Sequence, residues 1–152
     1  MIQRIQSLQL VVALAFLVLL FIFPYAVFID PQAVNHLFDF TGVHASENTG
    51  TAVNILPLQI LTGVVPVITL GTLFLFKNRV LQMRLCVFNM LLMIGILILM
   101  AWYIYYIKTE LSAQVYYKAT LLAPLLALVF TWLAFRNIRK DELLVRSVDR
   151  IR

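Results

Sequence analysis

The sequence predicts an all-α protein: a four-helix transmembrane bundle with both termini cytoplasmic, a short interfacial helix in the outer loop and an amphipathic C-terminal helix. Three observations predict it. Hydrophobic residues make up 62% of the 152 residues and charged residues only 12%, against roughly 45–50% and about 25% in soluble domains. Four stretches reach the roughly 20 apolar residues that a helix needs to cross a hydrocarbon core, at about Leu8–Ile29, Val53–Phe76, Leu85–Ile107 and Val115–Phe135. Finally, the net charge of +5 is distributed unevenly along the chain. One set of connections holds Arg4, Lys77, Arg79, Arg84 and the six bases of the tail; the other holds only Lys108 and Lys118. Basic residues remain on the cytoplasmic side, and four crossings place residues 1 and 152 on the same side, so the two counts agree.

The first stretch, "LQLVVALAFLVLLFIFPYAVFI", follows Arg4 as a signal peptide would. Its apolar core exceeds the usual 7–15 residues and no A-x-A-like site follows, so it reads as a retained span. The loop after it, "DPQAVNHLFDFTGVHASENTG", opens on Asp30 and Pro31, a side-chain acceptor and a ring suited to a helix start. Ala33, Val34, Leu37 and Phe38 recur at helical spacing and Gly42 can end the segment, which gives the interfacial helix its expected place. His36, Asp39, His44 and Glu47 are the candidate metal ligands there, in no known zinc spacing. A solvated loop is the expectation, with no metal bound.

Span two contains Pro57, Gly63, Pro66 and Gly71, interleaved with Thr62, Thr69 and Thr72. Proline removes a backbone donor and bends a helix, and the freed carbonyl needs a neighbour in lipid. Thr62, Pro66 and Thr69 share a face without bulky side chains, and small residues let helices approach. This face, with Gly63, is expected to pack against span four, where Pro124 gives a second bend. Span three carries Asn89, the one strongly polar side chain within a span, suited to an interhelical hydrogen bond. Its single cysteine, Cys86, excludes an intramolecular disulfide and a CxxC motif; it reads as a small buried hydrophobe. Trp102, Tyr103, Tyr105, Tyr106, Tyr116 and Tyr117 form the outer aromatic belt, and Trp132 with Phe135 the inner one.

The tail "RNIRKDELLVRSVDRIR" continues span four as an amphipathic helix or bends along the membrane. Ile138, Leu144, Val145, Val148 and Ile151 lie on one side, while Glu142 and Asp149 stand within pairing distance of Arg146. Arg139, Lys140, Arg146, Arg150 and Arg152, with Arg4 at the other end, are the candidate residues for docking a partner or anionic lipid. Three acids among six bases interrupt a positive stripe, so no nucleic acid is expected. "KDEL" at residues 140–143 is internal and so is not a retrieval signal.

The opening "MIQRIQSL" and the closing "IRKDELLVRSVDRIR", on a four-span chain of this length, resemble a family of small bacterial membrane proteins, domain of unknown function 4293. The resemblance covers the whole chain. It implies four helices, a bacterial inner-membrane location and no assigned activity, and it supplies no catalytic or binding residues. It directs attention to Gln3, Arg4 and Gln6 at one end and to Arg139–Arg152 at the other.

The sequence contains no GxSxG, no Walker sequence, no plausible Cys–His pairing and no pair of carboxylates placed like an acid/base site, so no enzyme and no cofactor are expected. The expected function is a non-enzymatic membrane subunit or scaffold, in contact with lipid and with a membrane-protein partner or a second copy of itself. The alternative is a small oligomeric transporter or channel using the bent second and fourth spans. A transporter normally carries ionisable groups at mid-membrane, which this chain lacks.

Overall fold

A computed structural model describes residues 2–32, 34–45, 53–75 and 78–149, with side chains from 5 to 144. Four helices, α1 (Ile2–Ile22), α2 (Leu56–Phe74), α3 (Arg79–Glu110) and α4 (Ala123–Asp149), carry most of the chain. All four contain windows long and apolar enough to cross a membrane. They alternate in direction. α1 packs on α2 and α4, and α3 packs on α2 and α4, so the helices form a square with α2 and α4 on a diagonal. The core runs along its centre through Ala13, Leu17, Val65, Met93, Ile96 and Ala127, all fully or almost fully buried.

Outside the helices the prediction fails, because the fold is not purely helical. Four short strands, β1 (Ala26–Ile29), β2 (Asn35–Phe38), β3 (Val43–Ala45) and β4 (Gln114–Tyr117), make one antiparallel sheet in the order β3-β2-β1-β4. The expected interfacial helix is therefore absent: its segment forms the β1–β2 and β2–β3 hairpins. The reason lies in period. Along Asn35–Phe38 exposure alternates, with His36 and Phe38 inward and Leu37 outward, which is strand geometry. Apolar residues three and four apart fit a helix equally well, but backbone partners decide the matter. β1 pairs Ala26 with Phe38 on one side and with Tyr117 on the other, so both edges of β1 are satisfied.

Three local devices shape this end. Pro24, two residues past α1, marks the exit, and the Tyr25 amide is taken by the Phe38 carbonyl. The Asp30–Pro31 pair forms the β1–β2 turn, closed by the Asp30 amide on the Val34 carbonyl at 3.1 Å. In the β2–β3 turn, Asp39 Oδ1 accepts from the amides of Thr41 and Gly42 at 2.7 and 3.1 Å. Gly42 there has φ +148°, a backbone shape that side chains disfavour. The inner face of the sheet, with Phe28 and Phe38, joins the same core as Leu20, Met100 and Ile107.

Two boundaries move accordingly. Span one ends at Ile22 rather than Ile29, and "QVYY" is strand β4 rather than the start of span four, which opens with a 3-10 turn at Ala119–Leu122. Pro124 then sits in the first turn of α4, where a missing amide costs nothing. Pro124 therefore breaks no interior hydrogen bond of α4, and the reason for expecting a second bend there falls away. Pro57 is likewise in the first turn of α2, leaving Pro66 as the proline inside a helix. At its other end α4 runs unbroken from the apolar stretch through residue 149, so the tail continues span four.

Candidate functional site

The end of the bundle where α1 starts and α4 finishes, the tail end, carries a group of polar side chains buried between helices. Gln6 on α1 donates from Nε2 to Asp141 Oδ2 on α4 at 2.8 Å. One turn further in, Asn137 donates from Nδ2 to Gln9 Oε1 at 3.0 Å. Gln6 and Gln9 are three apart and Asn137 and Asp141 four apart, so each pair stands on one helix face. Antiparallel helices match them in reverse order. Gln6 is 7% and Asp141 9% exposed, so the amide gives the carboxylate a partner where water is scarce. A hydrogen bond to a charged group contributes about 1.5–3 kcal/mol net. Beneath this clasp Leu10, Cys86, Ala134 and Ile138 form a small apolar cluster, which seals it from the core.

The clasp fixes what the outer face of α4 presents. Arg139 and Lys140 are both exposed. Arg136 lies over the Trp132 ring at 5.9 Å, a cation–π contact that holds its stem flat. A basin of about 430 Å³ opens between the start of α3 and this part of α4, lined by Arg79, Arg84 and Glu142. Of the candidate docking residues, Arg150 and Arg152 lie outside the described residues, as do the side chains of Arg4 and Arg146.

Buried polar groups also join α2 to α3. Asn89 donates from Nδ2 to Thr69 Oγ1 at 2.7 Å, and the Thr69 hydroxyl donates to the Val65 carbonyl. Gln82 donates from Nε2 to the Thr72 carbonyl at 3.2 Å. The threonine face of span two therefore meets span three, not span four as expected, because α4 is across the diagonal. Thr62 is buried on that face, and Pro66 is half-buried. Gly63 does not mediate close approach: a Cβ there would meet nothing within 4 Å. The close approach is at Gly95 on α3, where a Cβ would lie 3.2 Å from Leu61 Cδ2. Pro124 is buried at the head of α4.

At the opposite, sheet end, three of the four candidate metal-ligand residues lie among the described residues. His36 faces inward across from Phe28, while His44 stays in the β2–β3 turn with Nε2 2.7 Å from Thr41 Oγ1 and 3.6 Å from Asp39. Glu47 lies outside the described residues. No three His, Cys, Asp or Glu converge among the described residues. His36 is buried with neither ring nitrogen hydrogen-bonded, and the Tyr25 hydroxyl is in the same condition. Burial pushes the Tyr25 hydroxyl above its ordinary range, and the Asp39 carboxylate adds to that.

The tail-end clasp joins the two stretches that carry the family resemblance. A family model described as "Domain of unknown function (DUF4293)" matches residues 2–151. The chain belongs to the DUF4293 family. Among curated proteins no match was found. The DUF4293 match encloses Gln6, Gln9, Asn137 and Asp141, so the clasp lies inside the family's own domain. Of these four, Gln6 and Asp141 fall in the two stretches to which the family resemblance directs attention; Gln9 and Asn137 carry no local mark beyond their three- and four-residue spacing.

Proposed function

We propose that this chain is a non-enzymatic integral-membrane subunit or scaffold that docks a membrane-protein partner or the bilayer through its tail. In this reading the four helices span a bacterial inner membrane with both ends of the bundle's tail side in the cytoplasm, as the Lys and Arg distribution favours. One observation carries the docking role: α4 continues past its apolar stretch without a break, and the Gln6–Asp141 and Asn137–Gln9 bonds hold it against α1. Arg139 and Lys140 are thereby presented on a held helix rather than on a loose tail, which lowers the ordering entropy of docking. The interior supports a subunit over a passage. Midway along the bundle the buried residues include Leu17, Met93, Ile96 and Ala127, and the Thr131 hydroxyl donates to the Ala127 carbonyl.

The test is gentle detergent extraction of the tagged chain and identification of co-purifying proteins, with anionic vesicles as a second bait. The double substitution Arg139→Glu/Lys140→Glu is expected to remove the partner or the vesicles while helix content stays unchanged. If both baits are retained in full, the docking reading is wrong.

A further inference from the structure

A second lipid-facing feature lies at the sheet end, away from the tail. α3 and the start of span four enclose a furrow of about 410 Å³. Its apolar length is lined by Leu97, Ala101, Leu121 and Leu125, and its far end by Tyr105, Lys108 and Tyr117. β4, the 3-10 turn and the first turn of α4 build the wall opposite α3. Ala101 contributes only a methyl group there, which deepens the middle of the furrow.

The dimensions suit one kind of occupant. Leu97 and Lys108 are separated by about 16 Å along α3 at 1.5 Å per residue, and half of a hydrocarbon core of about 30 Å is about 15 Å. The furrow thus runs for the depth of one leaflet, apolar towards the middle of the bundle and polar at the sheet end. Lys108 is the one charged residue in the lining, and it has no carboxylate partner among the described residues. One lysine and two tyrosines, with no acid among the lining residues, complement a phosphate. It disfavours a headgroup that brings its own cation.

We infer that this furrow binds one anionic phospholipid of the sheet-side leaflet, with an acyl chain along Leu97, Ala101 and Leu125 and the headgroup phosphate on Lys108, Tyr105 and Tyr117. The inference rests on the proposal that the four helices span a bilayer, and it is independent of tail docking.

The test is native mass spectrometry of the full chain in mild detergent. The probes are equal amounts of phosphatidylglycerol and phosphatidylethanolamine with identical acyl chains. One phosphatidylglycerol is expected to be retained over phosphatidylethanolamine. Lys108→Ala is expected to lower its retention about fivefold, the weight of one basic residue beside an anionic lipid. Ala101→Phe, at an exposed position, is expected to fill the furrow and abolish the preference. Lys118→Ala, which removes a neighbouring charge outside the lining, is expected to leave it intact. Equal retention of the two lipids overturns the inference, as does an equal loss with Lys118→Ala, or unchanged binding in Ala101→Phe. Arg139→Glu/Lys140→Glu leaves the count unchanged if the furrow is the site, so failure of tail docking is read separately. Recovery of the chain without detergent would sink the spanning proposal itself, before any lipid is weighed.

Discussion

The two ends of the bundle meet the same requirement with different chemistry. At the tail end, polar side chains on neighbouring helices bond to one another: Gln6 with Asp141, Asn137 with Gln9. At the sheet end, the connections satisfy their backbone groups in a ladder, and β1 takes partners from both sides. Side-chain pairs can be removed one at a time with local effect. A ladder sits on a packed inner face, so its parts depend on one another. The sheet end also buries polar atoms without hydrogen bonds, on His36 and Tyr25.

If that contrast is right, the largest loss comes from the core beneath the sheet. Phe38 is fully buried, meets Tyr25 edge-on at 5.2 Å and packs near Phe28. Phe38→Ala is expected to cost about 3–5 kcal/mol, read as a fall in the midpoint of denaturant unfolding in detergent. A cost below about 1 kcal/mol would mean that the sheet is not an integral part of the fold.

An intermediate loss is expected at the clasp. Asp141→Ala leaves the Gln6 amide buried and unpaired, a penalty of about 1–3 kcal/mol. In a double-mutant cycle with Gln6→Leu and Asp141→Leu, a coupling of about 1 kcal/mol is expected, within the range of polar pairs between membrane helices. Zero coupling would reduce the clasp to a coincidence of position.

The smallest effect at neutral pH, and the sharpest in its pH dependence, is Tyr25→Phe. Because the folded protein raises the Tyr25 hydroxyl above the ordinary value of about 10, the neutral form is the one the fold prefers. Stability linked to this group is fully present below that value and is lost as pH rises beyond it. Thermal midpoints from pH 8 to 11 should therefore fall less steeply in Tyr25→Phe than in the natural chain. At pH 7 the substitution is expected to be neutral or slightly stabilising, since it removes a buried hydroxyl that has no partner. An identical alkaline slope in both proteins would dissociate Tyr25 from the effect.

How far these features could be read from the chain depended on whether their partners were local. The four helices are written in long apolar runs, and Asn89 announced itself as the polar side chain inside a span. Its bond to Thr69 also brought the threonine face of α2 into use, although against α3. The sheet had no such signal. Ala26 finds Phe38 within its own loop but Tyr117 after two intervening helices, and nothing near "QVYY" declares that partner. The segment around Leu37 satisfied both a helical and an alternating pattern, and the unseen ladder decided between them. An apolar run that begins at Val115 puts Pro124 mid-helix, whereas α4 begins at Ala123, and the small size of Gly63 does not say which way it faces.

The β1–β4 pairing also imposes an order on biogenesis. Ala26 cannot acquire its Tyr117 neighbour until about ninety more residues have been synthesised and the third helix has delivered β4 to the same side. An emerging chain therefore holds one edge of β1 without its β4 partner throughout the synthesis of two helices, and a polypeptide arrested in that interval exposes a strand that the finished molecule covers.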